Sequence, residues 1–409
     1  WMQMKKTPLL LMRIILILVL GVGAFFWALG MFSSNFAYRS PLKEVPPAPG
    51  TALGDAATRQ VVMVLVDGLR ADTASDKVLM PGLNALRSTG ASATMHSQAP
   101  SFSQAGYSTL LTGAWPALND GPTFNLEYSQ IPTWTQDNLF SDAHRKGIKT
   151  AISGYYWFER LIPQDAVDFH FYTPGEDQIA DQEVMAAALP WLKAGNAGLV
   201  LIHLDQMDHA GHTLGAKSQG WNEAAQRVDG LISQVAAAMD FSQDTLIVVS
   251  DHGHIDSGGH GGQDEVVLTE PFVMTGAGVI PGEYGSIQMV DVAPTVAALL
   301  GTSLPASTQG EVLTFMLALP QSVIQALPGA VQAQQTQLVS AYAGSLGMTL
   351  GNQTLPTGSD VAAYQAVLNQ LRNDRIFVQR VERAAVAAVL LALIVYFLLR
   401  NRRNGSAWW

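Results

Sequence analysis

The sequence predicts an α/β domain built on a mostly parallel sheet flanked by helices, and three observations point there. Three short runs, VVMVLV at 61–66, GLVLIHL at 198–204 and TLIVVS at 245–250, are continuously apolar rather than alternating. That is the pattern of strands buried on both faces of a parallel sheet. Stretches of helical character at 80–88, 181–193 and 221–239 complete the strand–helix alternation of α/β folds. Acidic residues gather where the runs end: Asp67 after the first, Asp205 and Asp208 after the second, Asp251 with His252 after the third. Open α/β sheets bind ligands at the carboxyl ends of their strands, so these clusters form one candidate site.

Taken in order, residues 9–31 are apolar except for Arg13. As a helix they would extend about 34 Å, enough to cross the hydrocarbon core of a bilayer. Lys5, Lys6 and Arg13 lie toward its N-terminal side, which the positive-inside tendency keeps in the cytoplasm. The competing reading, a cleaved signal peptide, fits less well, because the stretch exceeds a usual signal core and no A-x-A site follows. Residues 32–59, rich in Pro, Gly and small residues, read as a linker. A catalytic domain is expected over 60–310. The Ala-, Gln- and Leu-rich segment 311–380 reads as a helical stalk or cap.

A second apolar run at 384–399 is followed by Arg400, Arg402 and Arg403. It is short for a span, and Arg380, Glu382 and Arg383 precede it, so a buried core helix is the alternative. Snorkelling of the flanking arginines makes a span workable. The expected topology has both termini cytoplasmic and the domain between them extracytoplasmic.

Composition narrows the chemistry. Among 409 residues, 23 Lys and Arg stand against 33 Asp and Glu, a net charge of −10, which argues against binding a nucleic acid polymer through its phosphates. There is no cysteine. Disulfides, thiolate zinc sites and cysteine nucleophiles are excluded together, and any metal must be held by His and carboxylates.

Six of the nine histidines lie between 203 and 260, a clustering that packing does not require. Asp208 and His212, in DHAGHTLG, are four residues apart and can converge from one turn. Asp251, His252 and His260, in SDHGHIDSGGHGG, add a carboxylate and two imidazoles on a loop with five glycines. With Asp67 these make six N/O ligands, about what two metal ions need at three protein ligands each. A lone DH pair is more often a cap or a hydrogen-bonded core pair. The joint occurrence at three strand ends carries the metal reading.

The segment QAPSFSQAGYSTLLTG at 98–113 places small hydroxyl residues before a helix-like stretch at 104–111. A helix N-terminus offers free N–H groups and the positive end of the dipole, suited to a phosphate or to a nucleophilic alkoxide. Ser103 is the best placed hydroxyl. Its plainer role, or that of Ser101, would be to cap the helix.

At this point the motifs resemble a family. VDGLRAD around Asp67, the hydroxyl segment ending in LLTG, MDHAGH around Asp208, SDHG around Asp251, GGHGG around His260 and QMVDVAPTVAALLGTSLP at 288–305 are similar, in order and spacing, to the alkaline phosphatase superfamily. HLDQMDHAGH resembles most the metal-dependent ethanolamine-phosphate transferases of glycosylphosphatidylinositol synthesis, and next the nucleotide pyrophosphatase/phosphodiesterases. The resemblance covers about residues 60–310 and implies an alkaline-phosphatase-like fold. It implies two divalent ions, zinc by expectation, one held by Asp208, His212 and His260 and the other by Asp67, Asp251 and His252. Ser103 aligns with the Thr or Ser nucleophile. The sulfatase motif C/S-x-P-x-R is absent around Ser103.

The resemblance implies a membrane-anchored, two-metal phosphodiesterase or phosphotransferase with a phosphoserine intermediate, its ions about 4 Å apart. Arg70 and Gln104 are the side chains expected to contact the substrate phosphate, Arg70 having the alternative of pairing with Asp72. His203, Asp205, His209 and His254 are expected to orient the ligands. The substrate is a phosphate ester, with a phospholipid headgroup or a lipid-linked glycan suggested by placement at the bilayer. The alternatives are a phosphate monoester phosphatase of the same superfamily and a catalytically silent membrane-anchored binding protein.

Overall fold

Eight strands form one sheet in the computed structural model, which describes residues 6–350 and 355–403. They are β1 (Gln60–Val66), β2 (Ala91–His96), β3 (Thr150–Tyr155), β4 (Phe169–Thr173), β5 (Leu199–Leu204), β6 (Asp244–Val249), β7 (Thr269–Gly276) and β8 (Gly282–Gln288). Their spatial order is β4-β3-β5-β1-β6-β7-β2-β8. Most pairings are parallel: β1 with β5 and β6, β3 with β4 and β5, and β2 with β8. β7 runs antiparallel between β6 and β2, so the sheet is mixed rather than wholly parallel.

The unbroken apolar run of β1 has a simple cause. Val61, Met63 and Leu65 enter the core on one face of the sheet, while Val62, Val64 and Val66 enter the core on the other. Side chains alternate across a strand, so a strand covered on both sides must be apolar at every position. The first core is closed by the helices Ser103–Thr112 and Val292–Leu300, the second by Gln178–Ala194 and Gln219–Ala237. Each fully buried Val or Leu contributes about 1.5–3 kcal/mol. β1 is therefore a rigid base for whatever follows it.

The segment 311–380 contains the helix Gln321–Ser345 and the start of the helix Val361–Arg403. Both pack on the domain. Leu338, Val339, Tyr342, Tyr364, Leu368 and Leu371 form a third apolar cluster with Leu42, Ala114 and Leu118.

At the N-terminal end, Lys6–Phe36 is one helix, and its described large apolar side chains, Leu18, Phe25, Phe26 and Trp27 among them, are exposed. The apolar part of Val361–Arg403 is exposed as well, Val386 to Tyr396 included. Among the described residues no helix is long and apolar enough to cross a membrane. The anchor expected at 9–31 falls largely on side chains outside the described residues before position 18, and the one expected at 384–399 loses positions 397 and 398 in the same way.

Candidate metal centre and nucleophile

The strand order β5-β1-β6 puts three acidic strand ends side by side. β1 ends at Val66 and delivers Asp67; β5 ends at Leu204 and leads through Asp205 into the helix Gln206–Leu214, which carries Asp208 and His212; β6 leads to Asp251 and His252. The turn after Asp67 requires Gly68, at φ +73°, since a Cβ there would meet the His254 ring at 2.9 Å.

Asp67, Asp251 and His252 converge with ligand atoms all within 4.8 Å of one another. His252 Nε2 lies 3.3 Å from Asp67 Oδ1 and 3.4 Å from Asp251 Oδ2. Donors bound at about 2.0–2.1 Å to a tetrahedral zinc stand roughly 3.3–3.4 Å apart, so the spacing suits such an ion. The remaining valences agree. Asp251 Oδ1 accepts the Gly68 N–H at 3.2 Å, and Asp67 Oδ2 accepts from the Tyr107 hydroxyl and lies 3.1 Å from His203 Nε2. Asp67 Oδ1 and Asp251 Oδ2 are buried with no hydrogen-bond partner. His252 Nδ1 faces the Gly253 carbonyl at 3.1 Å, which keeps its proton there and leaves Nε2 a lone pair. Two unpartnered carboxylate oxygens and an imidazole lone pair thus point at one spot.

The second set lies beside the first, with Asp208 Oδ1 4.0 Å from His252 Nε2. His212 Nε2 is 3.4 Å from Asp208 Oδ2 and 3.0 Å from His260 Nε2, and His260 Nε2 is 3.6 Å from Asp208 Oδ1. His260 Nδ1 faces the Ser101 carbonyl at 2.8 Å, again turning Nε2 inward as a lone pair. His254 also approaches Asp208, at 2.7 Å from Oδ1, but its Nδ1 accepts the Gly259 N–H at 3.0 Å. Its Nε2 therefore carries the proton and donates, which holds Asp208 in place instead of competing for a cation.

Electrostatics describe a site short of positive charge. Burial, with Asp67 alongside, pushes Asp208 up to about 7 and Asp251 well above the carboxylate range. Asp205, packed near Asp67 and His203, is raised well above it by the same two causes. For Asp67 burial acts the same way, but hydrogen bonding, from His203 first and from Tyr107, works against it and the group is held low. Burial depresses His252 strongly, His260 as well, and His254 to about 4, so the imidazoles are neutral near pH 7. Crowded carboxylates among neutral imidazoles fit divalent cations.

Ser103 opens the helix Ser103–Thr112, whose N-cap position is Phe102 without a side-chain cap bond. The capping role is therefore not taken. The Ser103 hydroxyl instead lies 3.2 Å from His252 Nε2, buried beside the first donor set. Helix and strand end meet closely because Gly106 has no side chain: a Cβ would stand 2.7 Å from that of Asp251.

Arg70 and Gln104, the expected substrate contacts, both have partners within the protein. Arg70 bonds Asp72 through Nε and Nη2 at 2.9 and 2.6 Å, and Asp256 and the His254 carbonyl through Nη1 at 2.7 and 3.1 Å. Its donors brace the glycine-rich loop. Gln104 pairs through both side-chain ends with the backbone of Leu126. His209 is also elsewhere, half exposed and 3.9 Å from Glu176. Two residues that sequence reasoning missed are present instead. Asn125 Nδ2 is 3.4 Å from Ser103 Oγ, its oxygen accepting the Gln104 N–H at 3.1 Å, and nothing in the sequence marks it. Tyr107 lies four residues after Ser103, a same-face spacing that was there to be read.

The sequence model described as type I phosphodiesterase / nucleotide pyrophosphatase matches residues 61–311. The chain is similar to the catalytic subunit of GPI ethanolamine phosphate transferase 2 of Homo sapiens, 23% identical over 72% of this chain and 32% of the relative. GPI ethanolamine phosphate transferase 2 of Aspergillus fumigatus is 25% identical over 69% of this chain and 41% of its own. This chain thus spans well under half the length of these relatives. A solved structure from glycosaminoglycan metabolism in Bacteroides thetaiotaomicron shares the fold, with TM-score 0.53 and 12% identity over 64% of this chain and 78% of that one.

Proposed function

This chain belongs to the type I phosphodiesterase / nucleotide pyrophosphatase family, and from that premise we propose that it is a membrane-tethered phosphodiesterase or phosphotransferase working through a phosphoserine at Ser103. One observation carries the reading. The Ser103 hydroxyl and two unpartnered carboxylate oxygens, Asp67 Oδ1 and Asp251 Oδ2, all lie within 3.4 Å of the same nitrogen, His252 Nε2.

Two divalent ions, zinc for this N/O donor set, would be held by Asp67, Asp251 and His252 and by Asp208, His212 and His260. When bound, they supply the Lewis acidity that eases ionisation of a hydroxyl and stabilises a leaving oxygen. The protein's own groups do the rest. Ser103 Oγ attacks phosphorus and gives up its proton to solvent, while the bond to the leaving oxygen breaks in line and that oxygen takes up a proton. Asn125 donates its amide N–H to a phosphoryl oxygen, and the backbone N–H groups that open the Ser103–Thr112 helix face the same charge. Tyr107 and His203 hold Asp67, and His254 holds Asp208, so the donors need not reorganise. Water or an acceptor alcohol then cleaves the phosphoserine, and the choice between them separates hydrolase from transferase.

Placement at a bilayer is supported by the apolar stretches 9–31 and 384–399 and by a row of rings. His260 meets Phe102 at 5.6 Å, Phe102 meets Phe124 at 4.9 Å, and Phe124 stacks on Phe36 at 4.4 Å. Phe36 is the last residue of the N-terminal helix, so the site lies three ring contacts from the end of the helix that carries the expected anchor. A lipid-linked phosphoester fits that position, with the catalytic domain extracytoplasmic and both termini cytoplasmic.

The test is metal content and turnover of the full chain in neutral detergent, on p-nitrophenyl phosphate, bis-p-nitrophenyl phosphate and p-nitrophenyl sulfate. About two zinc ions per chain and Ser103-dependent cleavage favouring the diester are expected. Monoester preference would move the assignment to the phosphatases. Turnover unchanged in Ser103→Ala would overturn the mechanism.

A further inference from the structure

A cavity of about 1110 Å³ lies outside the donor sets, between the domain and the helix Val361–Arg403. It adjoins the reaction site through Pro100, three residues before Ser103, and Phe124, next to Asn125. Most of its helical wall comes from beyond residue 311, past the part of the chain that the family shares.

Gln365, Asn369, Arg372, Ile376 and Gln379 line it at spacings of three and four residues, one face of a helix, with Arg375 beside them. The cations on this face lack carboxylate partners, Arg375 meeting the Tyr342 hydroxyl instead. Arg39, Arg59, Arg70 and Arg145 each hold an aspartate. Among the described residues neither Arg372 nor Arg375 meets a carboxylate within ion-pair distance, although the chain carries a net charge of −10. The Gln365 oxygen accepts from Gln309 at 2.8 Å, yet its Nε2 is buried without a partner. The wall also carries two acids, Glu311 and Asp291, the latter held by the backbone N–H groups of Gln288 and Glu311. Ile287, Val290 and Leu368 make part of the lining apolar.

We propose that this cavity binds the phosphate head of an anionic amphiphile, with Arg372, Arg375 and Gln365 Nε2 donating to the phosphate oxygens and the apolar wall receiving the root of its chains. Paired guanidinium groups suit a phosphate because they offer parallel N–H donors and keep their charge. The same helix continues past the cavity into the apolar run 384–399, the direction the chains of such a lipid would take. The idea rests on the phosphoester reading of Ser103, since the cavity then holds a part of the substrate that is not transferred.

Isothermal titration of the full chain in neutral detergent tests it, with dioctanoyl phosphatidic acid, inorganic phosphate and dioctanoylglycerol as probes. Phosphatidic acid is expected to bind saturably. Inorganic phosphate should bind at least about tenfold more weakly, dioctanoylglycerol not measurably, and Arg372→Gln with Arg375→Gln should weaken the lipid about tenfold or more. The paired Lys substitutions keep the charge and should retain most of the binding, which separates charge loss from misfolding. Undiminished binding in the Gln pair overturns the proposal, and so does inorganic phosphate binding as tightly as the lipid, which would make this a site for free phosphate. Ser103→Ala should bind phosphatidic acid like the parent while losing turnover. Retained turnover would overturn the Ser103 reading alone.

Discussion

Tyr107 donates its hydroxyl to Asp67 Oδ2, the oxygen of that carboxylate turned away from the other donors, and so aims Oδ1 at His252 Nε2. The same hydroxyl lies 2.9 Å from His203 Nε2, so a phenol and an imidazole fix one oxygen between them. Partners behind metal ligands typically contribute 10–100-fold in affinity or activity. Tyr107→Phe should therefore weaken zinc binding about tenfold or more while leaving the fold intact, as read by chelator competition. Unchanged affinity would mean that Asp67 needs no such support.

Removing the nucleophile and removing the oxygen contact should look different. Ser103→Ala is expected to abolish diester turnover with zinc content unchanged, because its hydroxyl is no member of either donor set. Asn125→Ala should keep a measurable rate, about 10²–10³-fold below the parent, the range for loss of one preorganised donor. Equal, small effects from both would argue that neither touches the phosphate.

Gly106 offers a test that alters no ligand. A methyl there would collide with Asp251 at 2.7 Å from its Cβ and 2.8 Å from its carbonyl oxygen, and overpacking of that kind costs about 1–3 kcal/mol. Gly106→Ala should lower both zinc occupancy and melting temperature. Full occupancy by elemental analysis would show that the Asp251 loop can yield.

Glu270 on β7 sets a pH dependence away from the metal centre. It is fully buried, bonded to Ser97 at 2.5 Å, with Oε2 lacking a partner. Burial pushes its pKa well above the ordinary 4.5. The folded state then holds a proton that the unfolded chain releases above about pH 4.5, so this group lowers stability as pH rises beyond that point. Glu270→Gln removes the titration and should raise the melting temperature more at pH 8 than at pH 5. An equal shift at both values would contradict the assignment.

Much of the site was legible because its ligands are tied to local patterns. The strands at 60–66, 199–204 and 244–249 announce themselves by unbroken apolar runs, and Asp67, Asp208 and Asp251 follow them within a few residues. Wherever the runs become neighbours in a sheet, their ends must meet. The partners of Arg70 and Gln104 were not legible for the opposite reason. Each is polar and near the site in sequence, but their partners, Asp256 and Leu126, arrive from loops 186 and 22 residues away.

The sequence by itself determined the α/β class, the six metal-ligand candidates and the hydroxyl at 103, because these depend on periodicity and on residues adjacent along the chain. Only the tertiary structure decided which nitrogen of His252, His254 and His260 carries the proton, that Asn125 stands beside Ser103, and that Arg372 and Arg375 face a cavity. Those outcomes depend on hydrogen-bond partners distant in the chain, and a proton on one side of an imidazole ring is placed by whatever acceptor folding brings to it.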